Sequence, residues 1–314
     1  MFDSILKQIG MLEKIDPPEM LYIFLHIQKC AGRTIVTHAL NQFGEKKVFH
    51  DGMFTAQLHR EYGADPGPRM LILTASKDEP FMKKQWFDDT LRNVLPEQKR
   101  KSIVLIGGHR TYCGMHKLFN KPVRYFTFLR EPVSRIISWY NNVLRASFEH
   151  QKIFKAVRDD GQKVPFEEWL ETINLAAYSM TAFLSLKLKG ENMFDFDFVP
   201  SRQDFEHTKK SLKNMYFVGL TENDNDKDFI YQRLGITRFI PNQNVGKEQS
   251  TYFIPKDYES ARKIILSKCP FDQELYEYAK ELNQTMRKQI KDYNRAILYT
   301  RFRRSLLNKR LRVC

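Results

Sequence analysis

Residues 21–43 read LYIFLHIQKCAGRTIVTHALNQF. The run LYIFLH, 21–26, is short and continuously apolar up to its last residue, as a strand buried on both faces requires. A polar turn follows, and IVTHALNQF, 35–43, then takes helical spacing. The unit is strand, loop, helix. VRYFTFL, 123–129, repeats the pattern and leads into PVSRIISWYNNVLRA, 132–146, where Pro132 suits a first helical turn. MLILTAS at 70–76, SIVLIGG at 102–108 and MYFVGL at 215–220 are further buried-strand candidates. Helices are expected from Pro165 to about Thr172, over 175–188, from Ser201 to Lys213, from Asp226 to Leu234, and over most of the chain beyond Pro255. Continuous apolar strands alternating with helices predict one α/β domain: a central parallel sheet flanked by helices in three layers, with a helical C-terminal part.

The composition excludes several classes. At 314 residues, 42% apolar and 13% aromatic, the chain can bury a sizeable core and is no disordered basic tail. No run of about 18 apolar residues is present, and MFDSILKQIG lacks the pattern of a secretory leader. Cys30, Cys113, Cys269 and Cys314 are too few and too scattered for a disulfide scaffold or a structural zinc site, so a reducing compartment is the default. The net charge is +14, and it is uneven. From Met286 to Cys314 ten basic residues face one acid, so this segment carries +9 of the total. Its apolar residues, Ile290, Ile297, Leu298, Phe302, Leu306, Leu307 and Leu311, recur largely at spacings of three and four, as in a basic amphipathic helix. Two divisions follow: residues 1–285, and a basic helix or tail, 286–314. The tail either packs its apolar stripe on the body or contacts an acidic polymer, a membrane surface or another copy.

The loop HIQKCAGRT, 26–34, has the chemistry of an anion cradle. It combines a lysine, a small-residue turn at Ala31–Gly32, and a hydroxyl at Thr34 where a helix opens. It is not GxxxxGK[ST], since Lys29 precedes the glycine. An ordinary strand-to-helix turn with a solvated Lys29 remains the alternative. Arg130 ends the strand 123–129, and Ser138 lies two helical turns on, so both can reach one anion beyond the strand ends. An arginine paired to Glu131, with Ser138 an ordinary helical serine, is the competing reading.

Together, FLHIQKCAGRT (24–34) and TFLREPVSRIIS (127–138) resemble the two cofactor signatures of sulfotransferases that use PAPS, 3′-phosphoadenosine 5′-phosphosulfate. Their form is most similar to the glycan-modifying, heparan sulfate 2-O- and 6-O-sulfotransferase branch. IGGH (106–109), YFVGLTEN (216–223), NVGKEQS (244–250) and FDQELYEYA (271–279) add to the resemblance, which runs from about residue 20 to 285. It implies a P-loop-like fold. By position it implies that Lys29, Cys30, Ala31, Gly32, Arg33 and Thr34 hold the 5′-phosphosulfate, that Arg130 and Ser138 hold the 3′-phosphate, and that Lys247 belongs to a flap over the cofactor. The chain departs from the pattern at Cys30, where a hydroxyl residue is usual, and at Arg33. Cys30 is either a small loop residue or, beside a lysine and a helix N-terminus, a reactive thiol.

Transfer to an alcohol requires a base for the acceptor proton and a cation for the departing oxygen. His109 ends the strand SIVLIGGH behind two glycines, and imidazole titrates near neutrality. The resemblance implies that a histidine in this position is the base; a strand-end histidine held by a carbonyl is the plainer reading. His26, His50 and His116 are weaker candidates, His26 as a packed residue. Lys29 is the cation chosen for the leaving group. Arg110 and Arg145 are expected to be exposed, or to meet an anionic acceptor. The expected reaction is transfer from PAPS to a hydroxyl of a carbohydrate or other acceptor, releasing adenosine 3′,5′-bisphosphate without a metal. A kinase with a non-standard phosphate loop and a non-enzymatic polyanion-binding protein are the alternatives; nucleic acid is not expected. The absence of a leader or span suggests a cytoplasmic enzyme, with the Golgi lumen as the location if an N-terminal anchor was removed.

Overall fold

The computed structural model describes residues 20–50, 60–61, 79, 83–190, 195, 197–239, 253–255 and 257–310, the last five without side chains. The strand expected at 70–76 and the segment 244–250 with Lys247 lie outside the described residues. Among the described residues five strands form one sheet: β1 (Leu21–Leu25), β2 (Val48–His50), β3 (Leu105–Gly108), β4 (Val123–Leu129) and β5 (Phe217–Leu220). Their order is β2-β3-β1-β4-β5 and every pairing is parallel. The expected α/β class and parallel sheet are present. β1 is central, and all five of its residues are buried, which explains its unbroken apolar run.

The helices are α1 (Gly32–Phe43), α2 (Lys84–Val94), α3 (Glu97–Ser102), α4 (Pro132–Val143), α5 (Phe148–Ile153), α6 (Phe166–Thr172), α7 (Met180–Lys189), α8 (Arg202–Leu212), α9 (Asp224–Leu234), α10 (Tyr258–Lys268), α11 (Asp272–Gln289) and α12 (Tyr293–Arg310). α1 lies tight on β3: a Cβ at Gly107 would stand 2.7 Å from Val36 Cγ2. α4 starts where Pro132 predicts, and the Glu131 carboxylate accepts from Val133 N and Ser134 N, satisfying two of its orphan donors. α11 runs beside β5, and Asn283 Nδ2 donates to Val218 O at 2.8 Å. The central rings of Phe24 and Phe126 stack at 4.7 Å in the core.

Three elements differ from expectation for physical reasons. The strand near 102–108 begins only at Leu105, because Pro96 opens α3 and that helix runs through Ser102. The helix expected from 175 begins at Met180. Ser179 caps it, and the Asp272 carboxylate accepts from Met180 N and Thr181 N, at 2.8 and 2.9 Å. The basic C-terminal segment is interrupted: Ile290 is extended and ends α11, and α12 starts afresh at Tyr293. The interruption resets the helical phase. Tyr293, Ala296, Ile297, Tyr299 and Thr300 are therefore buried against α9, while Leu298 and Phe302 face outward. Arg304 and Arg301 reach Asp228 of α9, at 2.7 and 3.5 Å.

Candidate active site

The strand register brings the site together. Leu25 pairs with Gly108, and Phe24 pairs with Phe126, so the loops after β1, β3 and β4 leave the same edge of the sheet. Thr127 Oγ1 donates to Leu25 O at 2.8 Å, and Thr111 Oγ1 donates to Phe24 O at 2.7 Å, tying the three strand ends together. The chain passes from β1 to β2, beyond β3 on one side, and from β4 to β5 on the other. A ligand crevice is expected at such a reversal, beyond the carboxyl ends of the strands.

The loop after β1 is shaped for an anion. Lys29 has φ 66° and Ala31 φ 60°, both left-handed, and Cys30 N donates to Ile27 O at 3.1 Å. Alternating backbone of this kind turns N–H groups into a concavity. Ala31 is the N-cap of α1 and offers no capping side chain, and the first turn of α1 contains no acid. The N-terminal amides and the positive end of the helix are left for something else that is negative.

Cations gather at the same point. Lys29 Nζ donates to Asn142 Oδ1 at 3.3 Å, and Arg130 donates to Lys29 O at 3.4 Å. Burial pushes the Lys29 ammonium down to about 8, with help from the Arg33, Arg130 and Arg145 guanidiniums. Burial and the neighbouring positive charge together loosen this proton, and a bound anion offsets both. Arg33 is exposed, and Arg145, also exposed, anchors its Nε on Asn141 O at 2.9 Å. Ser138 is buried in the second turn of α4.

Cys30 is fully buried among core residues. Burial raises its thiol to about 12 despite Arg135 and Arg130, so the reactive-thiol alternative does not hold. Its side chain belongs to the core rather than to the crevice.

His109 follows β3 at the same edge, half-buried. Its ring stacks on that of His26, with centroids 4.5 Å apart and planes 29° apart. His26 is packed, as expected, and burial holds its imidazole well below the usual histidine range, aided by His109, Lys187 and Lys29. A Cβ on Gly32 would lie 2.0 Å from His26 Nε2, so only glycine fits at the first residue of α1. His116 is elsewhere: its Nδ1 is 2.8 Å from Tyr125 OH, toward the start of β4. Arg110 is buried, not exposed as expected, with its guanidinium 4.9 Å from the centroid of the Phe87 ring.

Sequence reasoning missed Lys187. This lysine of α7 is fully buried, and its Nζ donates to His109 O at 2.6 Å and to Thr111 O at 2.7 Å. It clamps the turn that bears His109. The signal was a lysine inside TAFLSLKL, a run with no other charge. Asn141 was also missed. Its amide grips Phe253 twice, accepting from Phe253 N at 2.8 Å and donating to Phe253 O at 3.0 Å.

Comparison with known proteins bears on what this crevice is for. The model of the sulfotransferase family matches residues 15–296. Human heparan-sulfate 6-O-sulfotransferase 3 is 26% identical over 288 residues, covering 83% of this chain and 57% of that protein. Chicken heparan-sulfate 6-O-sulfotransferase 2 is 24% identical over 289 residues, covering 83% and 66%. Human heparan-sulfate 6-O-sulfotransferase 2 is 25% identical over 303 residues, covering 87% and 46%. The chain thus spans about half to two thirds of the length of these curated relatives. That these relatives are heparan-sulfate 6-O-sulfotransferases overturns the expectation of a cytoplasmic enzyme. Among the described residues no helix is long and apolar enough to cross a membrane. With a family model covering nine tenths of its length and a parallel sheet whose central strand opens into an anion loop, the chain belongs to the sulfotransferase family.

Proposed function

We propose that the protein transfers a sulfuryl group from PAPS to a carbohydrate hydroxyl, releasing adenosine 3′,5′-bisphosphate. The observation that carries this reading is the loop after β1: two left-handed residues, an uncapped helix N-terminus, and a lysine whose proton is loosened to about pH 8 by burial and three arginines. That arrangement fits a group with several negative charges. The relatives' names specify heparan sulfate and its 6-O position, so the favoured acceptor is a glycan of that chemistry, itself anionic. Neither the kinase nor the non-enzymatic polyanion-binding alternative finds support in the family match.

On this reading the amides of the Lys29–Thr34 turn and the Lys29 ammonium hold the 5′-phosphosulfate. Arg130 and Ser138 hold the 3′-phosphate, and Lys247 is assigned to the cofactor from the NVGKEQS resemblance alone. Ala31, Gly32, Arg33 and Thr34 contribute through the helix N-terminus; Cys30 contributes packing. PAPS, when bound, supplies an electrophilic sulfur and a phosphate leaving group. A ring nitrogen of His109 takes the acceptor's hydroxyl proton as the new oxygen–sulfur bond forms and the sulfur–oxygen bond to phosphate breaks. Lys29 meets the charge that develops on the departing oxygen. Lys187, through the His109 carbonyl, keeps the base-bearing turn in place. Residues 1–285 are read as the transferase unit and 286–314 as a basic appendage, of which α12 packs on α9.

The test uses sulfur-labelled PAPS with heparan sulfate lacking 6-O-sulfate, and calorimetry with adenosine 3′,5′-bisphosphate. Lys29→Ala and His109→Ala each cut transfer by about a hundredfold or more to a measurable residue, and only Lys29→Ala also weakens bisphosphate binding. Full activity in His109→Ala removes it as the base. Binding of ATP with Mg²⁺ in preference to the bisphosphate overturns the donor assignment.

A further inference from the structure

β1 and β3 end in register, Leu25 opposite Gly108, so His26 and His109 are the next residues of two adjacent parallel strands. Their side chains continue the cross-strand ladder past its last hydrogen-bonded pair, face to face at 4.5 Å. The edge of the His26 ring is equally confined. Nε2, Cδ2 and Cε1 lie 2.0 to 2.2 Å from where a Cβ on Gly32 would be, so the ring edge abuts the first residue of α1. Phe24 closes a third side, its centroid 5.3 Å away. The ring of His26 therefore fills the space between the anion loop and His109. It cannot turn without pushing on the helix N-terminus or leaving the face of His109.

We propose that His26 is a positioning residue that couples the phosphate-binding loop to the base, setting the plane of the His109 ring while seating Gly32. This rests on the reading of His109 as the base. The electrostatics agree with the geometry. Burial and the neighbouring His109, Lys187 and Lys29 all oppose a charge on His26, so the imidazolium that forms on His109 meets a neutral ring face rather than a second cation. Lys187 holds the same turn by its carbonyl, while His26 meets the ring itself, face against face.

Two measurements test it. The first is steady-state transfer from labelled PAPS to heparan sulfate lacking 6-O-sulfate, beside calorimetry with adenosine 3′,5′-bisphosphate. His26→Ala is expected to lower kcat by roughly ten- to a hundredfold, the range that misplacement of a catalytic group costs, with bisphosphate affinity within about threefold of wild type. His26→Phe, which restores a flat ring, recovers most of that loss. The double variant His26→Ala/His109→Ala is no slower than His109→Ala alone, because His26 acts only through His109. The second is binding alone. Gly32→Ala loses about tenfold or more in bisphosphate affinity, and the loss largely disappears in the His26→Ala background, where the added methyl has room.

Wild-type kcat in a folded His26→Ala, or additive losses in the double variant, overturns the proposal. So does a Gly32→Ala defect that His26→Ala leaves unchanged. If His26→Ala does not fold, His26→Asn replaces it and the same outcomes decide. Failure of the underlying reading is distinguishable: there His109→Ala keeps its activity, whatever His26 does.

Discussion

Raising the pH titrates the anion site at a position the structure specifies. The free ammonium of Lys29 is lowered from 10.5 to about 8 by burial and by Arg33, Arg130 and Arg145. A phosphate in the loop restores a favourable environment for the charged form, so the bound value rises. The sign follows from linkage. Below about pH 7 both states carry the proton, and affinity is flat. Above 8 the free site loses its proton and the complex keeps it, so affinity falls as pH rises. If binding returns Lys29 fully to 10.5, the slope reaches tenfold per pH unit. Its ceiling is the full shift of about 2.5 units, on the order of 3 kcal/mol or 300-fold. The ligand does not blur this window, since the second ionisation of a phosphate monoester is near 6 and complete by then. Calorimetry with adenosine 3′,5′-bisphosphate from pH 7 to 9.5, in two buffers of different ionisation enthalpy, reads both affinity and proton uptake. The uptake rises from near zero at pH 7 toward one proton above pH 8. A Lys29→Met variant binds more weakly and without the slope. Flat affinity across the range, or the same slope in Lys29→Met, refutes the assignment of this lysine to the phosphate.

Asp272→Ala removes acceptors from Met180 N, Thr181 N and Thr181 Oγ1 and leaves buried Arg135, 3.8 Å away, without its carboxylate. Urea denaturation shows a loss of about 3 kcal/mol or more, because one partner of a buried charged network is left behind. Iodoacetamide at pH 8 alkylates exposed Cys113 in the folded protein and spares Cys30, whose thiol is buried and raised to about 12; peptide mapping by mass spectrometry reads the difference. Asp228→Asn weakens the docking of α12 through Arg301 and Arg304, and hydrogen exchange of residues 293–305 speeds up while that of β1 does not. Asn141→Ala frees Phe253 from its two hydrogen bonds and raises KM for PAPS more than it lowers kcat, measured by steady-state transfer.

Much of the fold is legible because it is local. β4 occupies the residues that its apolar run predicts, and β1 differs only at its last residue, His26. α4 begins at the proline that suits a first turn. β2 escapes because three residues, Val48–His50, carry too little periodicity to stand out. The start of α7 escapes because Asp272, 91 residues from Thr181, supplies part of its cap. The phase of α12 escapes because the extended Ile290 breaks one apparent amphipathic run into two helices, which turns Leu298 and Phe302 outward. In the site, the loop, the strand-end arginine and the strand-end histidine are readable as residue types at strand ends. The thiol alternative at Cys30 is undone by burial, a property that no short motif contains.

The sequence by itself determines the α/β class, the two signatures, and the fact that a lysine, an arginine and a histidine follow three apolar strands. Those are consequences of neighbours along the chain. Only the tertiary structure decides that these strands end at one edge. It sets Lys29 against Asn142, 113 residues away, and lays the Lys187 ammonium on the His109 carbonyl, 78 residues away. It also closes His26 between Gly32 and His109. The physical reason is that desolvation and charge repulsion depend on distance in space. A lysine becomes a stronger acid, and a histidine a neutral spacer, only after folding has buried them and gathered other cations around them.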